Sequence, residues 1–206
     1  MGNGERRRRM PRVYLIRHGE TEWSINGRHT GTTDIPLTKN GEEMVTSRLL
    51  FDNNMPSECS WSTEPDIAEW DYGAYEGLLT KDIRKERPGW DIWRDGCPPG
   101  NGTPGESPDQ MTERVDRVIA RIRALHNKAE CASDDEVDYS DVILFSHGHF
   151  TRSFIARWCQ LPIQAGYNFS SDAGGLAMLG YQHMSLKEPS LLGLNWYTEY
   201  QMKTVR

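Results

Sequence analysis

No run of apolar residues in this chain is long enough to cross a bilayer, and no charged, apolar and small-residue series marks a secretion signal. Cysteine is scarce. Cys59, Cys97, Cys131 and Cys159 stand far apart without a CxxC pair, which excludes a zinc ribbon or a disulfide scaffold and reads as reduced thiols in a cytoplasmic protein. Internal repeats and low-complexity segments are missing too. So is an excess of positive charge: the net charge of -6 makes the chain a poor partner for nucleic acid, and nothing in it calls for a membrane. One basic run, residues 6–9, breaks that pattern. It reads as part of a disordered tail over 1–9, ahead of a single domain over 10–206.

What is present fits one α/β domain, since 206 residues bury a sizeable core. Val13, Tyr14, Leu15 and Ile16 form a short apolar run that stops at Arg17-His18-Gly19-Glu20. That pattern predicts a buried strand delivering a polar loop from its carboxyl end. Residues 19–36 stay polar and read as loop, after which Thr38 caps a helix reaching to about Phe51, with Met44, Val45, Leu49 and Leu50 on its apolar face. The strongest helix signal runs over 107–128. Ser107 and Gln110 make a capping box around Pro108, and Met111, Val115, Val118, Ile119, Ile122 and Leu125 share one stripe. We read this helix as plain structure. Val142, Ile143, Leu144 and Phe145 form a second buried strand that breaks into Ser146-His147-Gly148-His149 and then a helical pattern from Phe150 to Cys159. A later strand is expected over 176–181.

Two apolar strands thus end in histidine loops. Strands joined through helices run parallel, so both loops should emerge on one sheet edge, where α/β proteins bind ligands. The residue types there suit phosphoryl transfer. A neutral imidazole attacks phosphorus, a flanking arginine neutralises phosphate oxygens, and glycine permits close backbone approach; Arg17-His18-Gly19 supplies all three. His147 is the second imidazole, donating to the phosphate oxygens. The leaving oxygen needs a proton, and Glu69, Asp71 and Glu76 all lie in the densest acidic and aromatic stretch. Composition does not choose among them. His149 has no metal-binding partner at suitable spacing and reads as loop-shaping. His29, His126 and His183 read as surface or packing residues, and Trp23, Trp70, Trp90 and Trp93 as core.

The stretch Arg17-His18-Gly19-Glu20-Thr21-Glu22-Trp23, the later Ser146-His147-Gly148-His149, and Glu69 followed by Tyr72-Gly73 and Glu76-Gly77 resemble, in that order, the motifs of the histidine phosphatase (phosphoglycerate mutase-like) superfamily. The segments around 69–77 and 90–97, with Asp172-Ala173-Gly174-Gly175 and Glu188-Pro189, are most similar to its fungal sedoheptulose-1,7-bisphosphatase group. The resemblance implies a three-layer α/β sandwich with a mostly parallel central sheet. It implies a phosphohistidine at His18, Glu69 as the acid, and a catalytic set of His18, Arg17, Glu69 and His147. It further implies substrate contacts at Ser24, Thr30, Gly31 and Tyr72, with Arg94 for a second phosphate, a small phosphorylated metabolite as substrate, and no metal or other cofactor. A mutase of the phosphoglycerate type and a catalytically weak phospho-ligand binder are the rival readings. The chain departs from the pattern at 52–65, where the superfamily carries a further strand and helix with a second phosphate-binding arginine. This stretch has no arginine and no apolar run, so one strand-helix unit is expected to be shortened or absent. Arg28 and Arg48 are the candidates to replace the lost cation.

Overall fold

The computed structural model describes residues 10–46, 60–130 and 141–196. The basic tail, the last part of the helix expected to reach Phe51, Arg48, Cys59, Cys131 and most of the 52–65 stretch lie outside these residues. In chain order the elements are β1 (Val13–Arg17), α1 (Glu22–Asn26), α2 (Lys39–Thr46), α3 (Thr80–Glu86), α4 (Ile92–Asp95), α5 (Pro108–Glu130), β2 (Val142–Ser146), α6 (Gly148–Trp158), β3 (Leu176–Tyr181) and β4 (Pro189–Trp196). Short 3-10 turns occupy Pro65–Ile67, Gly73–Tyr75 and Ile163–Asn168.

The four described strands make one open sheet in the order β2-β1-β3-β4. β1 and β2 pair in parallel, Val13 against Val142 through Arg17 against Ser146. The two predicted strands therefore lie side by side and end together. The described sheet is mixed, because β3 runs antiparallel to β1, and β4 antiparallel to β3. The β3–β4 pair is a local hairpin, which needs no crossover helix and so reverses direction.

Local chemistry explains the element starts. Ser107 and Gln110 exchange the two expected capping bonds, at 2.8 and 3.2 Å. Thr38 Oγ1 accepts from Gly41 N at 3.0 Å and so caps α2. Within the expected loop 19–36 the structure adds the short helix α1, started by a capping box between Thr21 and Ser24.

The core lies between β1, α5 and α6. Val13 and Leu15 of β1 are fully buried, as are Met111 and Val115 of α5 and Phe150 and Phe154 of α6, with Trp158 nearly so. Phe150, Phe154 and Trp158 follow at four-residue spacing, with successive ring centroids 5.9 and 6.0 Å apart. Burying each such side chain contributes roughly 1.5–3 kcal/mol, which fixes α6 against the sheet and so fixes the loop before it.

Candidate active site

The parallel register carries the two histidine loops to one place. His18 N donates to Ser146 O at 2.9 Å, extending the ladder one residue beyond the strands. The imidazoles of His18 and His147 then face each other with centroids 5.1 Å apart. His18 Nδ1 lies 2.7 Å from the carbonyl of Gly19. A carbonyl only accepts, so Nδ1 carries the proton and Nε2 keeps the lone pair. Burial, with help from the nearby Arg17 charge, holds the His18 pKa below its ordinary value, so the ring is neutral at pH near 7. These are the requirements of an aimed nitrogen nucleophile. Gly19 itself serves packing: a Cβ there would sit 2.1 Å from the Gly41 carbonyl oxygen, at the start of α2.

His147 occupies the N-cap of α6 yet makes no side-chain cap. Two of the first-turn N–H groups of that helix are satisfied by a distant residue. Glu69 accepts from His149 N at 3.0 Å and from Phe150 N at 2.9 Å, and also from Trp70 N at 2.9 Å. The His147 ring is thereby uncommitted to capping and lies beside the His18 ring, although His147 is not itself on the wall of the adjacent cavity. Burial alone would raise the Glu69 pKa; His149, His147 and the backbone donors outweigh it and bring it to about 2. Glu69 is a carboxylate in the resting site.

A cavity of about 740 Å³ opens beside these groups, walled in part by Arg17, His18, Glu69, Tyr72, Gly148 and His149. Among the three acidic candidates only Glu69 lines it. Asp71 accepts from Gly73 N and Thr103 Oγ1. Glu76 accepts from the backbone N–H groups of Gly31, Thr32 and Thr33. Arg17 Nη1 donates to Ser171 O at 2.5 Å, which ties the first cation to the segment before β3, on the same cavity wall.

The sequence profile of the histidine phosphatase superfamily (branch 1) matches residues 13–50 and 46–195. The chain belongs to the histidine phosphatase superfamily. It is 32% identical to an acid phosphatase of Mycobacterium tuberculosis, over 91% of this chain and 95% of the relative. It is 33% identical to sedoheptulose 1,7-bisphosphatase of Saccharomyces cerevisiae, over 88% of this chain and 91% of the relative. A solved structure of the open reading frame Rv3214 product from Mycobacterium tuberculosis superposes with a TM-score of 0.73 at 33% identity, covering 92% of this chain and 99% of that one. These matches make the chain a phosphoric monoester hydrolase with the α/β architecture of phosphoglycerate mutase-like proteins.

Around this histidine phosphatase centre the expected substrate contacts divide. Ser24, Thr30 and Tyr72 line the cavity. Ser24 is committed to the Thr21 capping box, and the Tyr72 hydroxyl lies 2.7 Å from His149 Nδ1. Gly31 is not on the wall; it packs where a Cβ would come 2.5 Å from the Trp70 carbonyl oxygen. Arg94 is not brought to the site either. Its guanidinium points into solvent, held by the neighbouring Asp95 carboxylate and the Gly89 carbonyl.

Three other arginines line the same cavity as Arg17: Arg28, whose Nη1 donates to Gly77 O, Arg84, whose Nε donates to Trp90 O, and Arg152. Arg152 had a signal in the sequence, because it stands four residues after Gly148 and a helix puts those positions on one face. It lies 4.8 Å over the Trp93 ring and donates to the carbonyls of Gly166 and Tyr167. His29, expected to be packing, also lines the wall, 4.7 Å from the Tyr72 ring. Trp90 and Trp93 belong to both the core and the cavity wall. Burial drives the His149 pKa down to about 3, so that ring is neutral across the working range. Among the described residues no His, Cys, Asp and Glu cluster suited to a metal ion occurs.

Proposed function

We propose that this histidine phosphatase hydrolyses a sugar bisphosphate, of which sedoheptulose 1,7-bisphosphate is the leading candidate, through a phosphohistidine at His18. The observation that carries the substrate class is the cavity wall. Besides Arg17, next to the nucleophile, it includes Arg28, Arg84 and Arg152, more positive charge than one phosphate requires. The yeast relative named sedoheptulose 1,7-bisphosphatase supports the same choice.

In the proposed reaction His18 Nε2 forms the N–P bond as the bond from phosphorus to the ester oxygen breaks. Arg17 and His147 meet the charge on the transferred oxygens. A phosphomonoester is part monoanion near neutral pH, because its second pKa is about 6. It therefore brings the proton that the ionised Glu69 lacks at rest. Glu69 receives that proton and gives it to the leaving oxygen. Water then attacks phosphorus, Glu69 takes a proton from it, and the N–P bond returns its electron pair to Nε2. Arg28 takes part of the charge that the superfamily's second arginine would carry. The reduced thiols of Cys97 and Cys159 fit a cytoplasmic setting.

A panel of sugar mono- and bisphosphates, assayed for free phosphate and for isomerised ester, tests this reading. Preferred release of phosphate from a bisphosphate supports it. Equal rates on all monophosphates would leave a general acid phosphatase, and isomerised ester without free phosphate would mean a mutase.

A further inference from the structure

Glu69 sits in a segment that no strand holds. Residues 68–72 make no sheet pairing, so their polar groups need other partners. One side chain of α5 supplies partners for the carbonyls of residues 68 and 69 and for that of residue 66 just before them. Arg114 Nη1 donates to Asp66 O at 2.9 Å and to Ala68 O at 2.7 Å, and Nη2 donates to Glu69 O at 3.0 Å. The rest of the guanidinium fork grips Glu106, with Nε to Oε1 at 2.6 Å and Nη2 to Oε2 at 2.9 Å. Glu106 then reaches back to the same segment. Its Oε2 accepts from Asp71 N at 3.2 Å, and its backbone carbonyl accepts from the Trp70 indole at 2.9 Å.

From this geometry we infer that Arg114 and Glu106 are positioning residues for the proton transfer by Glu69, an inference that rests on Glu69 being the acid of the proposed reaction. Neither residue is on the cavity wall; both bind the 66–71 segment instead. They act on the backbone of residue 69, while the N-terminus of α6 holds its carboxylate. Both ends of Glu69 are thus tied to helices that pack on each other and on the core. An ion pair with side chains only about one-tenth exposed gains little stability over apolar packing. Its distinctive feature here is direction: a planar fork reaches three carbonyls and a carboxylate at once, which an ammonium does not reproduce.

Leaving-group chemistry separates positioning from general support. An alkoxide departs only with a proton, whereas p-nitrophenolate departs without one. We therefore compare kcat/KM, which reports events up to leaving-group departure, for a sugar phosphate and for p-nitrophenyl phosphate. Arg114→Lys and the isosteric Glu106→Gln are each expected to lose roughly tenfold or more on the sugar phosphate and about threefold or less on the aryl ester. In a Glu69→Gln background neither should lower the sugar phosphate rate further. If Arg114→Lys does not fold, Glu106→Gln carries the same comparison. Equal losses on both esters, or a full additional loss in the Glu69→Gln background, overturn the inference while leaving the phosphatase reading intact. An unmutated chain that releases phosphate from neither ester overturns both.

Discussion

Replacing His149 with glutamine should change how stability depends on pH more than it changes stability near neutrality. In the folded protein the ring packs against Trp70, Trp93 and Tyr72, and burial lowers its pKa from 6.5 to about 3. Because the folded pKa is depressed, the unfolded chain binds the extra proton between those values. The contribution is complete above pH 6.5 and is lost as pH falls toward 3. Inside that window the folded state loses up to about 1.4 kcal/mol per pH unit relative to the unfolded chain. The ring faces an open cavity, so this is an upper bound. Urea unfolding of the wild type and of His149→Gln at pH values from about 7 to 4 measures the difference directly. The variant should start less stable, having lost packing, but should fall less steeply on acidification. Parallel curves would show that His149 titrates normally and that the tight aromatic environment assigned to it is wrong.

Four further outcomes follow from particular contacts. Arg94→Ala should leave kcat and KM within about twofold, since its guanidinium is engaged by Asp95 away from the cavity; a large rise in KM would contradict that placement. Arg152→Ala should raise KM for a bisphosphate by roughly tenfold or more and should raise it much less for a monophosphate, as read from steady-state kinetics. Phe154→Ala, which empties a fully buried site between Phe150 and Trp158, should cost about 3–5 kcal/mol in denaturant unfolding. Treatment with a chelator should leave turnover unchanged, because arginine and imidazole groups meet the phosphate charge; activity lost and then restored by Zn²⁺ or Mg²⁺ would refute this.

The parts legible in the sequence were those where one local signal dominates. The apolar runs of β1 and β2 end abruptly at histidine loops, and their parallel pairing follows from strand connection rules. The Ser107 capping box set the start of α5 because both of its bonds form within four residues. Other features depend on tertiary contacts. β4 begins at Pro189, contains Gly193, and is paired irregularly with β3, so alternation is faint. The resemblance implied Arg94 as a phosphate ligand, but its neighbour Asp95 captures it within a four-residue helix. Gly31 was implied as a substrate contact and instead permits a backbone crossing. Conversely, Arg114 sat unmarked in a helix read as plain structure, because nothing local reveals that its fork meets carbonyls 45 to 48 positions earlier.

In the proposed reaction His18 Nε2 takes the phosphoryl group while His147 and Arg17 hold its oxygens. Rapid acid-free quenching during turnover of phosphorus-labelled substrate, followed by peptide mapping, tests it most directly. Acid-labile label on the peptide containing His18, absent in His18→Ala, is the predicted result. Label on another residue, or label that persists in His18→Ala, would remove His18 as the nucleophile.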